Sequence, residues 1–316
     1  MSGGLLGLLA VALAVTVSAC GSSSNHKTSS VGAKSQAGSS GSLPGKGKRT
    51  FVLGDKNFTE EYVLGSLYQE ALQAKGYHVV LKGNIGSSEL IYKALTSGNI
   101  QGYPEYTGTL LTAVAGITAL PKTAADAYQK AKSWLQQHGY TMLDDTPFYD
   151  SDAVGTTKQY ATAHHLTTIA DLKPLGSKVT LGGLPEFRTR QQGLVGLRRV
   201  YGINPTFKPI ASGLVYNALD AGQVDTADVF TTDPQLKSGK YVVLSDPKHE
   251  FGFQNVAMIV KQSVLSQEGP AFASTINAVS RLLTTNAVIA MNAAVALNKQ
   301  SPATVAHDFL AANHLL

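Results

Sequence analysis

Asp144, Asp145, Asp150 and Asp152 crowd four carboxylates into one short run, the residue type that could chelate calcium or divide acid and base work in a hydrolytic site. Their spacing does not follow the ligand order of an EF-hand loop, so a solvated turn with one residue facing a pocket explains the run better. The histidines offer less. His164 and His165 are adjacent and diverge, and His249-Glu250 lacks the second histidine that a zinc-protease helix carries one turn away. Neither a Gly-x-x-x-x-Gly-Lys phosphate loop nor a Gly-x-Ser-x-Gly nucleophile turn occurs. The sequence therefore gives no reason to expect a cofactor, a metal or a catalytic centre.

Two aromatic residues stand out instead, because an internal echo places them. Leu90-Ile91-Tyr92-Lys93-Ala94-Leu95-Thr96-Ser97-Gly98-Asn99-Ile100 matches Leu214-Val215-Tyr216-Asn217-Ala218-Leu219-Asp220-Ala221-Gly222-Gln223-Val224 at an offset of 124. Tyr106 follows the first copy and Phe230 the second, again 124 apart, and Leu53-Gly54 loosely echoes Leu181-Gly182. Each copy reads as a helix, a glycine stop and the start of a strand. The echo implies two similar lobes, each offering one aromatic ring to a shared cleft that closes by a hinge.

The elements that would position these residues alternate between strand and helix. Strands are predicted at Phe51–Leu53, His78–Leu81, Ile100–Tyr103, Ala153–Thr157, Val179–Gly182, Ala227–Phe230, Val242–Leu244 and Val256–Lys261. Helices are predicted from Thr59 as cap to a stop at Gly76, over Ser88–Ser97 and Thr123–His138, and over 270–284 and 286–298. A last helix has Ser301 as its cap and Pro302 at its first position. Such alternation indicates α/β layers, with ligands at the carboxyl ends of the strands.

Composition narrows the classes further. The chain has 316 residues, 43% hydrophobic and 15% charged, enough for two domains with substantial cores. Its formal charge of +5 resides in residues 1–50, where Lys27, Lys34, Lys46, Lys48 and Arg49 meet no Asp or Glu. The remainder is neutral, which argues against a nucleic-acid-binding fold and leaves at most an attraction to an anionic membrane surface. Cys20 is the only cysteine, so no intramolecular disulfide forms. It follows an apolar stretch, Leu5 to Val17, that is too short to span a bilayer. The run Val17-Ser18-Ala19-Cys20 resembles a bacterial lipobox, in which cleavage exposes a cysteine for lipid attachment. Residues 1–19 are thus expected to be a lipoprotein signal peptide, and 20–50 a lipidated cysteine with a flexible Gly/Ser tether.

Larger motifs carry a family resemblance over about 51–316. Gly54-Asp55-Lys56-Asn57-Phe58-Thr59-Glu60, Tyr103-Pro104-Glu105-Tyr106-Thr107-Gly108-Thr109, Pro185-Glu186-Phe187-Arg188-Thr189-Arg190 and Asp246-Pro247-Lys248-His249 together resemble the osmoprotectant-binding proteins of ABC transporters. The resemblance implies a two-lobed type II periplasmic-binding-protein fold with an interlobe ligand cleft. One lobe would span 51–150 plus 253–316, and the other 151–252. It further implies a carboxylate clamp of Lys56, Thr109 and Arg190, and one ring, Tyr106, of a tyrosine box for a quaternary ammonium. The other three box positions hold Asp152, Phe230 and Gln254 in place of tyrosines, which leaves charge pairing through Asp152, or a different polar ligand, as alternatives. The implied partners are a small quaternary amine or zwitterion, an ABC permease with its ATPase, and the membrane through the lipid. A monomer on the extracytoplasmic face is expected. From another class, a lipid-anchored envelope hydrolase built on the acidic run is the competing reading.

Overall fold

Two five-stranded sheets organise the computed structural model, which describes residues 42–119 and 121–316. The first contains β1 (Phe51–Gly54), β2 (Val79–Lys82), β3 (Gly102–Tyr106), β4 (Tyr140–Met142) and β10 (Val256–Lys261), in the order β2-β1-β3-β10-β4. The second contains β5 (Asp152–Thr157), β6 (Thr180–Gly183), β7 (Thr206–Pro209), β8 (Thr226–Phe230) and β9 (Tyr241–Val243), in the order β7-β6-β8-β5-β9. The two orders are the same pattern written twice. In each, two parallel pairings flank an early strand, and a strand from the other end of the half runs antiparallel between the third and last strands.

The internal echo maps onto equivalent elements. Helix α2 (Ser88–Thr96) ends before Gly98 at φ +80°, and helix Val215–Asp220 ends before Gly222 at φ +64°. Glycine adopts that left-handed turn without the Cβ clash other residues suffer. The strand that follows each turn is β3 or β8, and these end on Tyr106 and Phe230.

Burial on both faces explains why the central strands read as continuous apolar runs. Side chains alternate along β10: Val256, Met258 and Val260 join Phe51, Leu53 and Phe272 in one core, while Ala257 and Ile259 join Ile91, Tyr103 and Leu135 in another. Helix α1 (Thr59–Ala74) packs Val63, Leu64, Leu67 and Leu72 into the first of these cores. Its cap residue is Phe58 rather than Thr59, and no side chain caps it; Glu60 and Glu61 in its first turn are turned into the protein instead. Helix Ala124–Gln137, predicted over Thr123–His138, is capped by Thr123, which accepts from the Asp126 N–H at 3.1 Å. Ser301 likewise accepts from the Thr304 N–H ahead of helix Pro302–Ala312. Strands β4 and β7 escaped the sequence pattern because they are short, and the edge strand β7 leaves most of its side chains half-buried or exposed.

The chain crosses between the sheets twice, once between β4 and β5 and once between β9 and β10. The two crossings lie side by side, since Tyr149 and Asn255 form an antiparallel bridge and the Asp150 N–H donates to the Gln254 carbonyl at 3.3 Å. The tether expected up to residue 50 stops short of that point. Gly45 donates its N–H to the Lys75 carbonyl at 2.9 Å, and Lys48 donates to the Gln267 carbonyl at 2.6 Å, so this segment is docked on the first half. Cys20, the leader and most of the tether lie outside the described residues. Among the described residues no single helix is long and apolar enough to cross a membrane. Helices Pro270–Leu282 and Thr285–Ala296 meet at 88° and bury Phe272, Ile276, Val279, Val288 and Met291 in the core.

Glu250, at the return crossing, is 1% exposed, and neither carboxyl oxygen has a hydrogen-bond partner. Burial pushes its carboxyl up to about 7, with the charge of Arg199 pulling it down. The folded state therefore keeps this proton at pH values where the unfolded chain has lost it, and stability falls as pH rises from the usual glutamate range to about 7. The contribution is at most about 3 kcal/mol. Glu250→Gln is expected to make the stability-versus-pH curve shallower, measured by urea denaturation at pH 5 and pH 8. Parallel curves for the two proteins would refute this.

Candidate functional site

The carboxyl ends of β1, β3, β6 and β8 face a cavity of about 420 Å³ between the two halves of the molecule. This is where α/β sheets with this connectivity leave room for a ligand. The first half contributes Lys56, Asn57 and Phe58 after β1, Ser87 and Ser88 at the start of α2, and Tyr106 and Thr109 at the end of β3. From the second half come Asp152, Leu184, Glu186, Arg190 and Phe230, with Asp150 on the crossing. Six of the seven residues singled out in the sequence thus line one cavity: Lys56, Tyr106, Thr109, Asp152, Arg190 and Phe230. Gln254 does not. It is fully buried behind the wall, where its Oε1 accepts from the Thr109 N–H at 2.9 Å and its Nε2 donates to Gln192 at 3.1 Å.

Three aromatic rings form a row across the halves. Phe58 stacks on Phe230 with centroids 5.4 Å apart and planes at 16°, and tilts against Tyr106 at 6.0 Å. Phe58 was not among the expected site residues, although it stands inside the motif after β1. Stacking across the cavity joins one residue from each half, so the rings meet only when the halves are shut. The Tyr106 hydroxyl donates to Glu60 at 2.6 Å, and Glu60 also accepts from Thr232 of the second half at 2.6 Å. A further bond between the halves runs from the Thr112 hydroxyl to Gln192 at 2.8 Å.

Lys56 is placed beneath this row rather than free beside it. It is 2% exposed; its Nζ lies 2.6 Å from Glu105 and 3.5 Å from Glu61, and 4.2 Å from the centroid of Tyr106. Glu105 also accepts from the Tyr103 hydroxyl and the Tyr106 N–H, so the ammonium is paired inside a buried network. Burial pushes Glu61 up to about 8, even with Lys56 pulling it down.

Arg190 is also already paired, and not with Glu186 of its own turn. Its Nε and Nη2 donate to the two oxygens of Glu89 at 3.1 and 2.9 Å, a two-pronged contact between the halves. Partial burial raises the Glu89 carboxyl, but the hydrogen bonds and charge of Arg190 outweigh it and hold the group at about 2. Of the clamp of Lys56, Thr109 and Arg190 that the resemblance implies, both cations thus have carboxylates of the protein beside them.

Asp152 has a partner the sequence reading did not identify. Because β5 and β8 pair with Asp152 opposite Phe230 and Val154 opposite Asp228, Asp152 and Asp228 are diagonal neighbours on one face. Burial raises both carboxyls; Asp152 is then drawn back by Arg190, while the nearby Asp152 charge drives Asp228 further up. Asp150, raised by burial and by Glu60, completes an acidic wall. A second cavity of about 1210 Å³ adjoins the first, sharing Phe58, Asp150, Leu184 and Phe230 and adding Asp228.

Residues 49–312 match the family described as the substrate binding domain of ABC-type glycine betaine transport systems. The glycine-betaine-binding protein of Pseudomonas aeruginosa is 33% identical over 279 residues, covering 84% of this chain and 89% of its own. The carnitine transport binding protein OpuCC of Listeria monocytogenes is 26% identical, covering 87% and 92%. A crystal structure of a glycine betaine/carnitine/choline ABC transporter protein superimposes with a TM-score of 0.67 at 25% identity, covering 84% of this chain and 99% of that one. With these neighbours the two-sheet α/β architecture is a two-lobed type II periplasmic-binding-protein fold.

Proposed function

Since the chain belongs to the family of substrate-binding domains of ABC-type glycine betaine transport systems, we propose that it captures a small quaternary amine, such as glycine betaine or a relative, and delivers it to the permease and ATPase of an importer. The observation that carries this reading is the aromatic row of Tyr106, Phe58 and Phe230 beside the carboxyls of Asp150 and Asp152 in a cavity between the halves. An N-methylated cation has no N–H to donate, so it is held by π faces and opposite charge, each ring adding about 0.5–2 kcal/mol. In this reading Asp152 supplies the counter-charge, Thr109 a polar contact, and Gln254 holds Thr109 in position. Lys56 and Arg190 fix the walls between which the ligand sits.

The lobes of this reading run over 51–150 with 253–316 and over 151–252, meeting at the paired crossings, which act as the hinge. A single chain works alone, outside the cytoplasm, held to the membrane through lipid on Cys20. The test is a melting-temperature and calorimetric titration with glycine betaine, carnitine and choline, with glucose as a control. A ligand at a hundredfold excess over its Kd is expected to raise the melting point by about 5–10 °C. If no quaternary amine moves the melting point or releases heat, the reading fails.

A further inference from the structure

The cavity's two cations are each already answered by carboxylates, and one of those answers comes from across the cleft. Glu89 sits in the first turn of α2, where the helix N-terminus favours a negative charge, and reaches the guanidinium of Arg190 on the opposite half. This contact uses the Nε–Nη2 edge of the guanidinium, one of the two edges that can grip a carboxylate with two parallel bonds. Asp152 and Glu186 add negative charge near the same group. Lys56 is held in the same way by Glu105 and Glu61.

We propose that Glu89 is a specificity-determining residue: from behind the cavity wall it takes one of the two guanidinium edges by which Arg190 could grip a ligand carboxylate, so the site selects a quaternary ammonium with a neutral tail over one with a carboxylate. This rests on the quaternary-amine reading above and narrows it. A ligand carboxylate has two ways to reach Arg190, and both are costly. It can displace Glu89, breaking two charge-assisted bonds and the contact that joins the halves. Alternatively it can take the remaining guanidinium edge and become a further negative charge beside Asp152 and Glu186, whose repulsion is weakly screened in a partly buried site. A trimethylammonium with a hydroxyl tail meets neither obstacle. Glu89 acts through Arg190 and does not itself line the cavity, so it serves as a positioning residue whose effect is on selectivity.

Choline and glycine betaine form the matched probe pair, because they share the trimethylammonium and differ in a hydroxymethyl against a carboxylate. Calorimetric titration of the full chain is expected to give at least about tenfold tighter binding of choline. In Glu89→Gln, glycine betaine is expected to gain about tenfold while choline weakens slightly, so the preference is erased or reversed. The melting temperature of the variant, measured alongside, reports that the fold is intact; Glu89→Ala repeats the test without any hydrogen-bonding group. Tighter binding of glycine betaine by the wild type, or a ratio unchanged in both variants, overturns the assignment of Glu89 while leaving the quaternary-amine reading in place. Failure of both probes to bind the wild type removes that reading and this inference with it.

Discussion

Replacing Lys56 with methionine is expected to lower the stability of the fold by about 3–5 kcal/mol, because it leaves buried carboxylates without their cation. The Lys56 ammonium is the only cation paired with Glu105 and Glu61 among the described residues, and all three side chains are almost fully buried. Burial raises Glu61 to about 8, so at pH 7 the cost falls chiefly on Glu105, whose carboxylate loses the cation 2.6 Å away. Tyr103 and the Tyr106 N–H would still donate to Glu105, which is why the loss stops short of unfolding the chain. Adding Glu105→Gln to Lys56→Met is expected to recover a large part of the loss, since one buried charge is then removed together with its partner. Urea denaturation of the two single variants and the double variant at pH 7 measures the coupling. A loss below about 1 kcal/mol for Lys56→Met would place Lys56 among ordinary surface pairs and reject the network.

The second large effect is expected on affinity. Asp152→Asn should weaken binding of a quaternary cation by about ten- to a hundredfold, and Asp152→Lys should abolish it at millimolar ligand. The nominal attraction of a carboxylate at contact distance is about 4 kcal/mol at an effective dielectric near 20, and desolvation offsets part of it. Asp228 limits the loss only in part in the asparagine variant: burial still raises its carboxyl, and only the smaller push from the Asp152 charge is removed. Asp152→Asn/Asp228→Asn should therefore lose more affinity than either single change. Calorimetry with choline on the three variants settles the order; equal affinity in wild type and Asp152→Asn rejects charge pairing.

What could be read from the sequence was what depends on neighbours along the chain. The helix–glycine–strand echo is local, so it placed Tyr106 and Phe230 at equivalent strand ends before any pairing was known. The cap at Ser301 was legible for the same reason, whereas the cap expected at Thr59 falls on Phe58, where Glu60 and Glu61 turn inward and no side chain caps the helix. The charge state of the site could not be read in this way. Lys56 finds Glu105 at a separation of 49 residues and Arg190 finds Glu89 at 101, and neither distance has a periodic signature. Gln254 carried the right position but faces the back of Thr109, because the Thr109 N–H and the amide of Gln192 both demand a buried partner there. Asp228 had a faint signal, since it lies two residues before Phe230 and therefore on the same face of β8.

The docking of Gly45 and Lys48 decides which half of the molecule the upstream chain is joined to. Any pull applied upstream of Leu43 reaches the folded body through the half that holds Lys56 and Tyr106, and reaches Asp152, Arg190 and Phe230 only by way of the two crossings. Parting the halves would take Asp152 and Phe230 away from Tyr106 in one movement, so counter-charge and ring contact would be surrendered together rather than in turn.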